Sequence, residues 1–353
     1  MFGRSRKMIK HSYFNKTMRH ILFIILLACS SLSAYSQEKR MAVVQTSICY
    51  MRLHPDYESA LETQELMGTV VEITGEKGYW REILSPQPYK AWTTEKTLVE
   101  MTSEQIAEYE KAPKYLFTAL YGHVRKEPNE TGEPLTDLVG GDILRIVEKS
   151  NQTKRHGKHG EWIEVMLPDG QTGWTYRKNL RALGEVINIG KGDSSEGLIS
   201  LEKIENVILE AKKLCGVPYL WGGMSAKGVD CSGLVRICFL MNDILLPRNA
   251  SQQLFCGKEI NVDRPDTKGI SESEVKEKYD REKALNATKN LQRGDLVFFG
   301  NTMTGSITHV GIYLGEGVMI HASHLVRINS LIPGEDNYYE NAHRLIRACR
   351  LCY

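Results

Sequence analysis

The chain has 353 residues, 42% hydrophobic and 25% charged, with 45 basic side chains against 43 acidic ones. That composition excludes a disordered tail or a collagen-like rod and suggests two or three globular domains. A net charge of +2 leaves no electrostatic footprint for nucleic acid. Eight cysteines, with no paired CxxC knuckles, fit neither a disulfide scaffold nor a structural zinc fold.

The first feature in chain order is the apolar run from Ile21 to Ala28, preceded by Lys16 and Arg19 and followed by Ser30, Ser31, Ser33, Ala34 and Ser36. It is too short to cross a bilayer, which takes about 20 residues. Basic, apolar, then small is the order of a secretory signal peptide, so residues 1–36 are read as a leader and the protein as exported to the periplasm or cell envelope. Met18 offers an alternative start. Cleavage after Ala34-Tyr35-Ser36 is the favoured exit. Leu26-Leu27-Ala28-Cys29 resembles a lipobox and offers the other, a lipid anchor at Cys29. No later stretch reads as a transmembrane helix. Removing the leader leaves 39 basic against 43 acidic residues, a net charge of −4, so the slight basicity belongs to the leader.

Residues 41–100 and 115–185 echo each other. Arg52-x-x-Pro55 matches Arg125-x-x-Pro128, and Trp80 and Trp92 match Trp162 and Trp174 at the same spacing. Short alternating runs punctuated by Gly and Pro read as two small β-barrels, each expected to be plugged by its own two tryptophans. The pattern resembles the bacterial SH3-like (SH3b) domain. Between the repeats, residues 101–114 read as a linker helix that opens on Thr102-Ser103 and stops at Pro113.

From residue 198 to 353 the pattern changes. Ile204, Ile208, Ala211 and Leu214 recur at helical spacing, and a Gly-rich stretch follows, Tyr219-x-Trp221-Gly222-Gly223. Asp230-Cys231-Ser232-Gly233 then opens a second helix on which Leu234, Cys238 and Met241 share a face. A cysteine at a helix start meets free N–H groups and a partial positive charge, which favour a thiolate and can hold an oxyanion. The flanking glycines are read as letting a substrate backbone come close. A buried, inert thiol is the competing reading.

A nucleophilic cysteine needs a base. Asp295–Gly300 reads as a buried strand. His309–Leu314 and Val318–Ser323 read as a hairpin turning at Gly315-Glu316-Gly317. A turn about Glu316 sets His309 opposite Ser323 and His321 opposite Gly311, so both histidines share one face. The other face, from Val310 to Ala322, is apolar and goes to a core. Cys231 as nucleophile, His309 as base and His321 as its orienting partner follow. A zinc site would need further ligands, and the sequence suggests none nearby.

Together, Tyr219-x-Trp221-Gly222-Gly223, Asp230-Cys231-Ser232-Gly233, Gly294–Phe299 and His309-Val310-Gly311-Ile312-Tyr313 resemble the NlpC-type cell-wall cysteine peptidases. The resemblance implies an α+β fold: a papain-like catalytic domain preceded by two small SH3-like β-barrels. It implies hydrolysis of amide bonds in peptidoglycan stem peptides without metal or cofactor. The arrangement is similar to the γ-D-glutamyl-L-diamino acid endopeptidases (dipeptidyl-peptidase VI). It implies release of L-Ala-D-Glu from muropeptides with a free N-terminal L-Ala, and a first SH3b domain that walls off the cleft. Asp230 is then the expected partner of that amine. Tyr219, Trp221, Ser232 and Ser251 would line the cleft, and Tyr89 would be the first repeat's contact, with Glu58 or Glu62 as an acidic partner. A monomer is expected.

Gly257–Arg293 is long and polar and reads as a lid, a cleft wall or a surface insertion, with a helix start at Ser271 to Glu274. Cys349-x-x-Cys352 reads as a closing strand rather than a redox pair. Asn129-Glu130-Thr131 and Asn286-Ala287-Thr288 match glycosylation acceptors and carry little weight. The rival functions are an amidase or acyltransferase of the same fold, and a wall-binding protein without catalysis.

Overall fold

The computed structural model describes residues 39–147, 161–190, 199–263 and 270–351. The expected leader with Cys29, and Cys352 of the terminal CxxC, lie outside the described residues, as do 148–160 of the second repeat.

The first repeat forms seven strands: Arg40–Val44 (β1), Ile48–Arg52 (β2), Leu61–Leu66 (β3), Val70–Lys77 (β4), Trp80–Leu84 (β5), Lys90–Thr94 (β6) and Leu98–Met101 (β7). The second forms Lys114–Phe117 (β8), Tyr121–Arg125 (β9), Pro134–Val139 (β10), Ile143–Ile146 (β11), Trp162–Met166 (β12), Thr172–Tyr176 (β13) and Leu180–Ala182 (β14). Their sheet orders, β3-β2-β6-β5-β4-β1-β7 and β10-β9-β13-β12-β11-β8-β14, are one topology repeated. Equivalent cross-strand pairs hold both: Arg52 faces Trp92, and Arg125 faces Trp174. Each arginine also clamps its own hairpin loop, Arg52 on the Ser59 carbonyl at 2.6 Å and Arg125 on the Gly132 carbonyl at 2.7 Å.

The interiors are aliphatic and small. Ala42, Cys49, Met51, Val71 and Ile83 fill the first, and Val124, Leu138, Leu144 and Ile163 with Phe117 fill the second. The tryptophans do not plug them. Trp80 is buried beside Tyr57 and Tyr79, with ring centroids 5.0 and 5.6 Å apart, and Trp162 stacks on Tyr176 at 4.2 Å. Trp92 and Trp174 are half-buried. An indole packs better against aromatic rings than among the small aliphatic side chains of these interiors. Between the repeats, Ser103–Lys111 (α1) starts on a capping box in which Thr102 and Gln105 exchange hydrogen bonds.

The third unit begins with Ile187–Asn188 (β15), which pairs in parallel with Ile244–Leu245 (β18). Between them lie Leu201–Lys213 (α2), the hairpin Met224–Ser225 (β16) and Gly228–Val229 (β17), and Cys231–Leu240 (α3). Ala250–Gln253 (α4), Lys258–Ile260 (β19), Glu272–Glu277 (α5) and Arg281–Thr288 (α6) follow. The chain ends in Leu296–Gly300 (β20), Ile307–Gly315 (β21), Val318–Ser323 (β22), Leu325–Ser330 (β23) and Leu345–Arg350 (β24). The large sheet runs β19-β24-β20-β21-β22-β23.

One face of this sheet, Phe298, Val310, Ile312, Ile320 and Ala322, packs on α2 and α3. Ile48 and Leu66 of the first repeat and Leu116 and Val139 of the second join the same core, so the small sheets are seated on the third unit rather than tethered to it. The other face is covered too. Val297, Phe299, Tyr313 and Met319 pack against Tyr279, Ala284, Ala287 and Tyr339. The described parts of 257–293 are therefore neither lid nor loose insertion. Strand β19 extends the sheet and α6 roofs its second face, burying apolar area there. Among the described residues no helix is long and apolar enough to cross a membrane.

Candidate active site

Cys231 is the first residue of α3, and Asp230 is its N-cap. One Asp230 oxygen accepts the Gly233 N–H at 2.6 Å, and the other accepts the Gly222 N–H at 2.9 Å. The glycines here serve the protein's own backbone rather than a substrate's. A Cβ on Gly233 would lie 2.0 Å from the Gly223 carbonyl oxygen, and one on Gly223 would lie 2.4 Å from that of Gly228. Gly222 has φ +77° and abuts the backbone of Glu62. The first turn of α3 is thus sunk into the glycine loop.

Asp230 is fully engaged. Arg248 donates to both its oxygens, at 3.0 and 2.5 Å, and also to Ser232 Oγ at 2.9 Å and Thr63 Oγ1 at 2.7 Å. Both Asp230 and Arg248 are buried. Any substrate ammonium reaching Asp230 would therefore share its oxygens with Arg248 and the glycine N–H groups. The sequence reading missed Arg248, whose partner lies 18 positions away. It also missed strand β3, which braces the site from the first repeat. Thr63 holds Arg248, Gln64 Oε1 takes the Met224 N–H at 2.8 Å, and Glu65 faces the buried Arg236 at 3.4 Å.

The hairpin forms in the expected register, with Ile312 opposite Ile320 and Tyr313 opposite Met319. His309 Nε2 lies 2.7 Å from His321 Nδ1, and His321 Nε2 lies 2.9 Å from Asn329 Oδ1 on β23. Asn329 is the member of this row that the sequence reading lacked. Tyr339 lies edge-on to His321, with centroids 4.8 Å apart, and near His309 at 5.9 Å. Burial lowers the pKa of His309 to about 3 and that of His321 to about 4, so both rings are neutral at physiological pH.

The thiol behaves differently from expectation. Cys231 is buried, and burial together with the Asp230 charge raises its pKa to about 11, while the backbone N–H groups of Val310 and Ser232 pull it down less. Desolvation outweighs the helix N-terminus, so the resting pair is thiol and neutral imidazole rather than a preformed ion pair. Val310 follows His309 on β21, which brings the sulfur to that strand. The Cys231 N–H, at the first helical position, has no protein acceptor among the described residues and is open to an oxyanion.

The remaining expected residues divide. Tyr89 Oη donates to Glu62 Oε2 at 2.8 Å, so Glu62 rather than Glu58 is the acidic partner. Burial and that carboxylate raise the Tyr89 phenol to about 12, and it also senses Arg248 and Asp230. Tyr219 is half-buried, and burial raises its phenol to about 12, with added contributions from Cys231 and Asp230. Ser232 is buried against Arg248 and Asp230. Trp221 is 67% exposed and Ser251 is exposed on α4; the structure gives neither a hydrogen-bond partner in the site. No cluster able to hold a metal ion occurs among the described residues.

A helix-borne cysteine beside a strand-borne histidine, itself backed by a second histidine, is the core of a cysteine peptidase. Residues 216–346 match the NlpC/P60 family, and this domain is that of a cysteine peptidase. The chain is 27% identical to a γ-D-glutamyl-L-lysine dipeptidyl-peptidase of Bacillus cereus, over 77% of this chain and 70% of that one. It is 26% identical to dipeptidyl-peptidase 6 of Lysinibacillus sphaericus, over 87% and 97%. The crystal structure of an NlpC/P60 family protein from Bacillus cereus superposes with a TM-score of 0.65 at 22% identity, covering 88% of this chain and 99% of that one. That likeness extends the shared fold across the N-terminal sheets.

Proposed function

We propose that the protein hydrolyses the γ-D-glutamyl–diamino acid bond of peptidoglycan stem peptides bearing a free N-terminal L-Ala, releasing L-Ala-D-Glu. The observation that carries this reading is the Glu62–Tyr89 pair, placed by the first repeat beside the Asp230–Arg248 ion pair at the nucleophile's helix. A carboxylate with a phenol next to it suits a substrate ammonium. The names of the relatives point to the same chemistry.

In this reading His309 takes the Cys231 proton as the sulfur attacks the γ-carbonyl carbon of D-Glu, and the Cys231 N–H holds the oxyanion. His309 then protonates the departing diamino-acid amine as the C–N bond breaks, leaving a thioester. Water, deprotonated by His309, attacks the thioester; the thiolate leaves and regains its proton, and the dipeptide is free. His321 orients His309. Tyr219, Trp221, Ser232 and Ser251 border the peptide. The N-terminal sheets act as SH3-like modules, the first of them closing the cleft beyond L-Ala. The leader of residues 1–36 supports delivery to the cell envelope as a monomer, cleaved or lipidated at Cys29.

The test compares L-Ala-γ-D-Glu-L-Lys with its N-acetylated form, reading products by mass. L-Ala-D-Glu from the free amine only is expected, and loss of turnover in Cys231→Ala. Cleavage of neither peptide, or equal cleavage of both, refutes the substrate reading.

A further inference from the structure

Asn329 lies outside the Cys–His–His set, yet the hydrogen-bond directions in the site begin with it. Its Nδ2 donates to the Asn337 carbonyl at 2.5 Å. A carbonyl oxygen can only accept, so the amide orientation is fixed and Oδ1 faces His321. Oδ1 in turn can only accept, so His321 Nε2 carries the proton across the 2.9 Å contact. His321 is fully buried and neutral, so its Nδ1 is bare. His309 Nε2, 2.7 Å away, must then carry its own proton. His309 is neutral as well, and its Nδ1 is left bare.

We propose that Asn329 is a positioning residue that sets the tautomers of both histidines in series, leaving His309 Nδ1 as the proton acceptor for Cys231. The proposal rests on His309 being the base. It does not rest on the identity of the substrate.

The fold makes the relay rigid. On β22 and β23, Met319 faces Asn329 and His321 faces Arg327, so Asn329 is the diagonal neighbour of His321. Asn329 is buried, and Tyr339 and Phe299 shield the imidazoles. The charged and titratable groups around the two rings are Arg327, Tyr339 and Cys231, with Arg344 beside Tyr339. The cation of Arg327 opposes protonation of His321. A neutral amide at 329 therefore directs the proton without adding a negative charge that would favour imidazolium. A carboxylate there would direct it equally well but would stabilise the charged ring.

The test uses the full chain with ¹⁵N-labelled histidine. In the wild type, both His309 and His321 are expected as Nε2–H tautomers; a wild-type His309 in the Nδ1–H form overturns the proposal without any variant. Asn329→Leu should scramble the His321 tautomer and slow site-specific alkylation of Cys231 by iodoacetamide by roughly 10- to 100-fold. A wrong tautomer in a Ser–His–Asp triad costs about 10⁴ in rate. In peptide turnover the loss should fall on kcat, with KM unchanged. Asn329→Asp should keep most of the rate near pH 8 and move the acid limb of alkylation to higher pH. An unchanged acid limb in Asn329→Asp, or wild-type tautomers and alkylation in Asn329→Leu, overturns it. Alkylation needs no peptide, so failure of the substrate assignment and failure of the relay are separate outcomes.

Discussion

Replacing Arg248 by Met is the sharpest probe of how the nucleophile is held. The side chain is 4% exposed and makes four hydrogen bonds, two of them to Asp230, which is itself 6% exposed. Met fills similar space but donates nothing. The Asp230 carboxylate would keep the Gly222 and Gly233 N–H groups and the Ser232 hydroxyl, and would lose the cation that neutralises it. Breaking a buried ion pair from one side costs about 3–5 kcal/mol, because a charge is left behind without compensation. At the lower figure, the unfolding midpoint should fall by roughly 6–12 °C. The control is a double-mutant cycle with Asp230→Asn. An asparagine can still cap α3 but has no charge to strand, so Arg248→Met should cost about 2 kcal/mol less when combined with Asp230→Asn. Calorimetry on the four proteins measures both quantities. If Arg248→Met costs the same with and without Asp230→Asn, the ion pair is not what holds the helix start, and the argument fails.

Other outcomes follow from the same geometry. Alanine at Gly233 would put Cβ 2.0 Å from a backbone oxygen that cannot swing aside, so α3 must undock; soluble yield and thermal midpoint should both collapse, and a midpoint within about 2 °C of wild type would contradict the packing. Glu62→Gln should raise KM for the free-amine peptide about 10- to 100-fold, the worth of a hydrogen bond to a charged group; an unchanged KM removes Glu62 from recognition. His309 and His321 have folded pKa values of about 3 and 4, below the ordinary 6.5. The native state thus prefers them neutral. The stability this confers is complete above pH 6.5 and drains away as pH falls towards 4. His321→Asn should flatten that decline in a melting series from pH 7 to 4, and parallel curves for the two proteins would refute it. With the thiol near 11, Cys231 alkylation should show no inflection between about pH 6.5 and 9; a thiolate step in that window would mean that the helix terminus, not burial, dominates.

Local patterns were the legible part of the sequence. The α1 capping box, the helical spacing of Ile204, Ile208 and Ala211, and the hairpin register are set by residues a few positions apart, and each formed as read. Asn329 escaped because it lies one strand further on. The turn into β23 passes through His324 at φ +63°, a conformation that no glycine announced. The thiol's protonation escaped for a different reason: the helix dipole is visible in the order of residues, whereas desolvation depends on everything that closes over the sulfur.

The partners of Asp230 show where sequence reading stops more generally. A carboxylate next to a nucleophile has two possible uses, to receive a substrate cation or to hold its own helix, and the motif is the same for both. The structure shows the second use: Arg248 holds Asp230 from within, and Thr63, 185 positions away, keeps that arginine in place. The same strand carries Glu62 towards the site, with Tyr89 hydrogen-bonded to it. The first repeat therefore acts on the catalytic helix through one short strand: Thr63 holds Arg248, and Glu65 faces the buried Arg236. This coupling explains why the small sheet shares a core with the third unit. A loosely tethered module could not place a threonine within hydrogen-bonding distance of a buried guanidinium.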